Sequence, residues 1–344
     1  MYDSQIPTMT PVVLHNSTFY NGDCIRGAAE NIPDNSVDLI ITDPPYGING
    51  DKLHQHYNRN EDFVVEGYVE IPQKEYATFS KRWIKEAERV LRPGGSIYIV
   101  SGYTNLIDIL NALKKTSLKE INHIIWKYNF GVFTSQKYVS SHYHILLYEK
   151  PGGRRTFNLE SRYGLHERTD DDRSLNNSDR EDVWIINREY KPGRIKNKNE
   201  LPVKLLIKMI QYSSNEGDLV CDFFLGGFST AKVALGLHRR AIGFEMSKAM
   251  FDTRIKEIEA ITPGYLIPFL RKATISTLEN SGKSWSVEDL ETVRSEFCRL
   301  TSEGVTKKEI ISRLGNELGR GRWAIEKALK KTSPIGNKVP VKKT

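Results

Sequence analysis

Two short segments hold residue types that could serve a single reaction. The first is Asp43-Pro44-Pro45-Tyr46, at the end of the apolar run Val37 to Ile41. The exocyclic amino nitrogen of adenine or cytosine is a poor nucleophile, because its lone pair is delocalised into the ring. Acceptors that hold its N–H groups would let it rehybridise, and the Asp43 carboxylate and the Pro44 carbonyl are two such acceptors on a rigid support. The electrophile suited to that lone pair is a methyl sulfonium. The Tyr46 ring would stack on a base swung out of its duplex, since aromatic faces and hydrogen bonds hold a flipped base. The plainer alternative is a proline-terminated turn with a structural aspartate and a core tyrosine.

The second segment, Leu225-Gly226-Gly227-Phe228-Ser229-Thr230, follows the apolar strand Leu219 to Phe224, which contains Asp222, and opens a helix from Ala231 to Leu237. The next strand, Arg240 to Glu245, ends on an acid 19 residues after Gly226. Strand, glycine turn, helix, strand and terminal acid make the arrangement that binds a nucleoside across the carboxyl ends of a parallel sheet, with the acid on ribose hydroxyls. Glycine turns of this kind also arise for steric reasons alone.

Hydrophobic periodicity predicts the elements that position these segments. The polar stretch Asn49 to Pro72 is too long for an ordinary connection and reads as a lid or binding loop (49–72), or as partly disordered. From Gln73 to Leu91 the apolar residues recur at helical spacing, and Arg92-Pro93-Gly94-Gly95 ends the helix. A strand at Ser96 to Val100 and a helix from Asn105 to Lys115 follow. The runs Ile121 to Trp126 and Tyr143 to Tyr148 suggest an antiparallel pair at a sheet edge. Lys150 to Asp182 loses all periodicity and reads as loop or a small irregular lobe. A helix from Pro202 to Tyr212 then precedes the second segment. The whole is an α/β alternation that stops after Ile267.

From Lys283 to Lys331 the pattern changes to three short helices, Val287 to Leu300, Thr306 to Leu314 and Arg320 to Lys330, with breaks at Gly304 and at Gly315 to Gly319. Trp285, Phe297, Leu300, Ile310, Leu314, Trp323, Ile325 and Leu329 would form their core. The expected division is a large domain at 1–267, a linker at 268–282, the helical module at 283–331 and a basic tail at 332–344.

Charge follows the same division. Of the net charge of +7, six units lie from Lys283 onward, where 14 Lys and Arg face 8 Asp and Glu. A basic segment on a nearly neutral body suits a phosphate backbone, although a solubilising tail would look alike. The three cysteines, Cys24, Cys221 and Cys298, are unpaired in spacing and suggest neither a disulfide framework nor a zinc site. No apolar stretch reaches the ~20 residues of a membrane span, and no signal-peptide pattern opens the chain, so a cytoplasmic protein is expected. Carbon-5 cytosine chemistry needs a cysteine nucleophile, generally after proline, and no Pro-Cys pair occurs. The histidines at 54, 56, 142 and 144 have little of a metal-site pattern, and no metal is expected.

With Asp43 to Tyr46 preceding Asp222 to Thr230, the chain resembles the beta class of amino-DNA methyltransferases, whose motif order is permuted in this way. The resemblance spans about residues 17–260. It includes Gly22-Asp23-Cys24, the run Arg89 to Gly95, and Asp182-Val183-Trp184. It implies a Rossmann-like S-adenosylmethionine-dependent methyltransferase sheet with a small C-terminal all-α, helix-turn-helix-like module. It also implies direct methyl transfer to an everted base, with Asp43, Pro44, Pro45 and Tyr46 as the catalytic group. Adenine is favoured, because aspartate at the first position is more typical of adenine enzymes and serine of cytosine-N4 enzymes.

By the same resemblance the cofactor would be held by Asp23, Cys24, Asp43, Asp222, Phe224, Leu225, Gly226, Gly227, Ser229, Thr230, Glu245 and Met246. Two departures stand out. Phe228 replaces the family's second glycine, which bears on how closely a cofactor can approach the backbone. Leu201-Pro202 replaces a Lys-Pro pair, leaving Asn199 as a weak substitute. The target-recognition region maps to about Gly152 to Glu181, where Arg154, Arg155, Arg162 and Arg168 are candidates for phosphate or guanine contacts. In the module, Arg320, Arg322 and Lys327 would face the groove, a helical cap or dimerisation element being the alternative.

The expected partner is double-stranded DNA, with a cognate restriction endonuclease and a second copy of the chain as further candidates. The rival readings are an N4-cytosine enzyme, an amino methyltransferase acting on RNA or protein, and a non-catalytic DNA-binding regulator that kept the fold.

Overall fold

The computed structural model describes residues 9–45, 71–129, 135–136, 138–158, 180–188, 200–270, 280 and 283–332. They form two compact units, 1–272 and 273–344.

The first unit is built on a nine-stranded sheet. Its strands are β1 (Pro11–Leu14), β2 (Ser17–Asn21), β3 (Val37–Thr42), β4 (Leu91–Ser101), β5 (Lys119–Lys127), β6 (His142–Glu149), β7 (Val183–Ile185), β8 (Leu219–Asp222) and β9 (Arg240–Glu245), in the order β1-β2-β9-β8-β3-β4-β6-β5-β7. Strands β2, β9, β8, β3 and β4 run parallel, so their carboxyl ends share one edge. The permuted motif order becomes geometry here: β3, from early in the chain, pairs with β8, with Leu39 opposite Val220 and Ile40 opposite Cys221.

Helices cover both faces. Helices α1 (Cys24–Asn31), α2 (Gln73–Val90) and α3 (Tyr103–Leu113) bury Ala28, Trp83, Ile84, Ile109 and Leu113 on one side. Helices α4 (Val203–Ser213), α5 (Ser229–Gly236) and α6 (Lys248–Glu259) bury Leu205, Met209, Ala234 and Phe251 on the other. The central strands are therefore mostly apolar, with Thr42 and Asp222 as polar residues at their carboxyl ends. In β3, Val37 and Ile40 face the first helical layer, while Leu39 and Ile41 face the second.

Several boundaries differ from expectation for identifiable reasons. Strand β4 begins at Leu91, directly after α2, and Arg92-Pro93-Gly94-Gly95 forms a bulge in it. The register shifts between Val37–Leu91 and Leu39–Ser96, with Gly94 at φ 78° and its N–H donating to the Lys150 carbonyl. The β5–β6 pair is not the sheet edge, because the three-residue β7 adds in parallel outside β5. The hairpin β1–β2, closed by His15 and Asn16 with φ of 49° and 57°, carries none of the glycine signal usual for such a turn.

The second unit packs α7 (Val287–Ser302), α8 (Lys307–Glu317) and α9 (Arg322–Thr332) around Val293, Leu300, Ile310, Ile311, Leu314, Ile325 and Ala328. Thr306 and Glu309 form a reciprocal capping box that opens α8. The expected break at Gly315 is instead inside α8, where the glycine lets the Arg320 carbonyl approach closely. Trp285, Phe297 and Leu329 pack at the rim of this core, and the Trp323 side chain lies outside the described residues.

Candidate active site

Two prolines remove ladder donors, so β3 ends at Thr42 and the chain turns. Thr42 is buried and its hydroxyl donates to Asp222 Oδ1 at 3.0 Å, across 180 residues. That one bond fixes the tip of β3 against the tip of β8. Asp222 also accepts the Phe224 N–H at 3.0 Å and the Thr230 hydroxyl. Burial pushes its pKa up to about 6 despite those three donors.

The turn after β8 is held from β9. The Leu225 N–H donates to the Phe244 carbonyl at 2.9 Å, and the Gly226 N–H to Glu245 Oε2 at 2.9 Å. The second Glu245 oxygen accepts the Ser247 N–H at 2.7 Å. Burial raises the Glu245 pKa, and the two backbone donors oppose that rise. Gly226 takes φ 48°, and a Cβ at Gly227 would collide with the Glu200 carboxylate. Glu200 is in turn bridged to Arg254 at 3.2 Å.

Phe228 does not obstruct this turn. It takes the left-handed conformation a glycine would adopt (φ 59°, ψ 23°) and sits just before α5. Its ring is fully buried, 5.5 Å from Phe19 and 5.9 Å from Phe251. The neighbours Gly226, Gly227 and Ser229 line the adjoining cavity, and Phe228 does not. The departure from glycine thus costs backbone strain of ~1–2 kcal/mol and places no atoms in the cavity.

Asp23 closes the third side. It is the N-cap of α1, accepting the Arg26 N–H at 2.8 Å. Gly22 donates to the Glu245 carbonyl at 2.9 Å. Cys24 is buried beside it, and desolvation raises its thiol pKa well above the ordinary value.

These pieces enclose one cavity of about 520 Å³. Of the residues expected to do chemistry or hold a cofactor, Asp23, Cys24, Asp43, Pro45, Asp222, Phe224, Leu225, Gly226, Gly227, Ser229, Thr230, Glu245 and Met246 all line it. Pro44 is buried beneath the turn. Tyr46 and Asn199 lie outside the described residues.

Sequence reasoning missed one wall. Lys74, Glu75, Thr78, Phe79 and Arg82 of α2 also line the cavity, as do Glu200 and Leu201. Aromatic contacts anchor that wall: Phe79 lies 5.8 Å from Phe224, and Trp83 lies 5.5 Å from it. The i, i+4 spacing of Lys74, Thr78 and Arg82 was available in the sequence, but nothing there said what their helix face looks at.

Several expected DNA contacts are elsewhere. Arg154 meets the Pro93–Gly94 bulge at the amino end of β4, roughly 20 Å of strand from the tip that carries Asp43. Arg155 is engaged by Glu149 at 3.3 Å and lies over the Phe157 ring. Neither reaches the cavity. Arg162 and Arg168 lie outside the described residues. In the second unit Arg320 is 5% exposed, donates to the carbonyls of Lys283 and Ser284 at 2.8 Å each, and stacks on Trp285 at 4.2 Å. It is an internal brace and cannot face a groove. Arg322 and Lys327 are exposed on α9, the former paired with Glu326 at 2.8 Å. His123 and His144 share a 2.9 Å hydrogen bond, and no cluster of three metal-ligating side chains exists among the described residues. No described helix is long and apolar enough to cross a membrane.

Comparison with known proteins agrees with this geometry. A family model described as DNA methylase, covering N6 and N4 enzymes, matches residues 37–257. Type II methyltransferase M.HpaI of Haemophilus parainfluenzae is 31% identical over 290 residues, covering 78% of this chain and 86% of the relative. Type II methyltransferase M.HinfI of Haemophilus influenzae is 28% identical over 269 residues, covering 72% and 69%. The fold is similar to that of the PvuII DNA methyltransferase, which is cytosine-N4-specific, with a TM-score of 0.55 at 17% identity over 73% of this chain and 88% of that one. The chain belongs to the N6/N4 DNA methylase family and is a DNA methyltransferase.

Proposed function

We propose that this DNA methyltransferase moves the methyl group of S-adenosylmethionine directly to N6 of adenine in double-stranded DNA. The observation that carries the reading is that Asp43 and Pro45, at the tip of β3, line the same cavity as Asp222, Glu245 and the Gly226-Gly227 turn.

The lining fits the cofactor. About 520 Å³ falls within the ~300–1,000 Å³ of small-molecule sites. Bare backbone at Gly226 and Gly227 lines the cavity, and at Gly227 it leaves room for the Glu200 carboxylate to lie against the turn. Carboxyl groups crowd the walls, which suits a ligand with a cationic centre. S-adenosylmethionine, when bound, supplies an electrophilic methyl on a sulfonium. Asp23, Cys24 and Met246 would flank its adenine. Glu245 has lone pairs beyond the two given to Gly226 and Ser247, and these would take ribose hydroxyls. Asp222, Phe224, Leu225, Gly226, Gly227, Ser229 and Thr230 would surround the methionine end.

The chain's own chemistry is positional. Asp43 and the Pro44 carbonyl would accept the two N–H groups of the target amine, so that its lone pair faces the methyl group. Tyr46 would stack on the everted base. The Thr42–Asp222 hydrogen bond, one residue before Asp43, would help hold this acceptor pair in place. Arg322 and Lys327 on α9 would add phosphate contacts from the second unit.

Adenine is preferred on the aspartate that heads the tetrapeptide. Methylating purified DNA, digesting it to nucleosides and weighing the products tests this. N6-methyladenine is expected, and N4-methylcytosine alone would overturn the base assignment. A competition between duplex DNA and RNA separates the nucleic-acid classes.

A further inference from the structure

The cavity is unevenly charged. Six carboxyl side chains line it, those of Asp23, Asp43, Glu75, Glu200, Asp222 and Glu245, against two cations, Lys74 and Arg82. Both cations stand on a single wall, within the first ten residues of α2. Thr78 lies between them and also lines the cavity. Steps of four residues set Lys74, Thr78 and Arg82 in one stripe that climbs about 12 Å of helix.

Lys74, Thr78 and Arg82 are exposed, and neither cation forms an ion pair among the described residues. Lys81 and Lys85 of the same helix are also exposed, but of the α2 cations only Lys74 and Arg82 line the cavity. Arg26 on α1, Arg89 on α2 and Arg92 in the β4 bulge are each engaged by a carboxylate, from Glu30, Asp34 and Asp38. A base drawn into the cavity remains attached to its strand, so the phosphates on either side of it must rest at the rim. Against an acidic lining they would be repelled least at α2, the one wall where cations, Lys74 and Arg82, outnumber the acid, Glu75.

We infer that the two phosphates flanking the everted nucleotide are held by Lys74 and Arg82, with the Thr78 hydroxyl donating between them. Helix α2 is then the wall that holds the target strand, and its cations position the nucleotide without touching the base. Such contacts fix register and carry no sequence information. The inference rests on the proposed reading that the cavity admits a base.

The test uses the full chain with Lys74→Ala, Arg82→Ala, the double substitution, and Arg82→Lys as the charge-conserving control. Duplex DNA binding is measured over a range of salt, and S-adenosylmethionine binding by calorimetry. Each alanine should flatten the slope of log K against log salt by about 0.9, and the pair by about 1.8. Arg82→Lys should keep the wild-type slope, and cofactor affinity should stay within about twofold throughout. Unchanged slopes in the double variant would overturn the inference. So would a loss of cofactor affinity with DNA binding intact, which would assign the cations to the cofactor's carboxylate. A wild-type chain that neither bound nor methylated duplex DNA would instead overturn the functional reading, and this inference with it.

Discussion

The carboxylate of Glu245 and the backbone N–H of Gly226 are joined by a 2.9 Å hydrogen bond. Through its other oxygen the same side chain takes the Ser247 N–H, so one acid ties the tip of β9 to the turn after β8. Any ligand that Glu245 binds through its remaining lone pairs is thereby placed against the Gly226-Gly227 backbone.

Glutamine at 245 would leave one acceptor oxygen for two backbone donors and remove the charge. Hydrogen bonds to charged groups contribute ~1.5–3 kcal/mol. Glu245→Gln should therefore weaken S-adenosylmethionine binding by about ten- to a hundredfold in calorimetry. An unchanged Kd would mean that the acid serves the turn alone.

Phe228 offers a test of packing against strain. Glycine there relieves the left-handed strain but removes a fully buried ring that touches Phe19 and Phe251. Truncating a buried phenylalanine costs ~3–5 kcal/mol and the relief returns ~1–2. Phe228→Gly should lower unfolding free energy in urea by roughly 1–4 kcal/mol while leaving cofactor affinity unchanged. Tenfold tighter cofactor binding would show that the ring does obstruct the turn.

Asp222 makes stability depend on pH in a defined window. Its pKa is about 6 in the fold, against ~3.9 in an unfolded chain. Below about pH 4 the group is protonated in both states and exacts no penalty. Above about 6 it is ionised inside the fold, which costs about 3 kcal/mol. Wild-type stability should fall by that order as pH rises from 4 to 6, relative to Asp222→Asn, whose amide does not titrate. Urea unfolding of both chains at several pH values reads the difference. Parallel profiles would refute the assignment.

Arg320 and Lys327 separate structure from surface in the second unit. Arg320→Ala leaves the Lys283 and Ser284 carbonyls without their donor and uncovers the Trp285 ring. It should cost that unit about 3 kcal/mol or more, as buried network losses do. Lys327→Ala, on an exposed position, should stay within ~0.5 kcal/mol. Circular dichroism of the thermal transition compares them.

Much of this site was legible in the sequence, because its parts sit where apolar runs stop. Two prolines must end β3, and a glycine pair followed by an acid-terminated strand describes the turn after β8 and the end of β9. What sequence patterns do not reveal is the direction of a polar face. The period of Tyr76, Trp83, Ala87 and Val90 marks the buried side of α2 and says nothing about what Lys74 and Arg82 overlook. Arg320 was misread for the same reason, since a guanidinium can be satisfied internally by carbonyls as well as by phosphates. Phe228 violates a glycine position, and only the core around Phe19 and Phe251 explains how it does so without touching the cavity. Strand β7, three residues long, is below the length at which alternation can be read.

In the proposed reaction Asp43 holds the amino group that is methylated. The most direct measurement is single-turnover methylation by Asp43→Ala at saturating S-adenosylmethionine and duplex DNA, alongside the cofactor Kd of the same variant. The expected rate is lower by about 10²–10³-fold or more, with the Kd changed by less than a few fold. Methylation at the wild-type rate would contradict this role of Asp43.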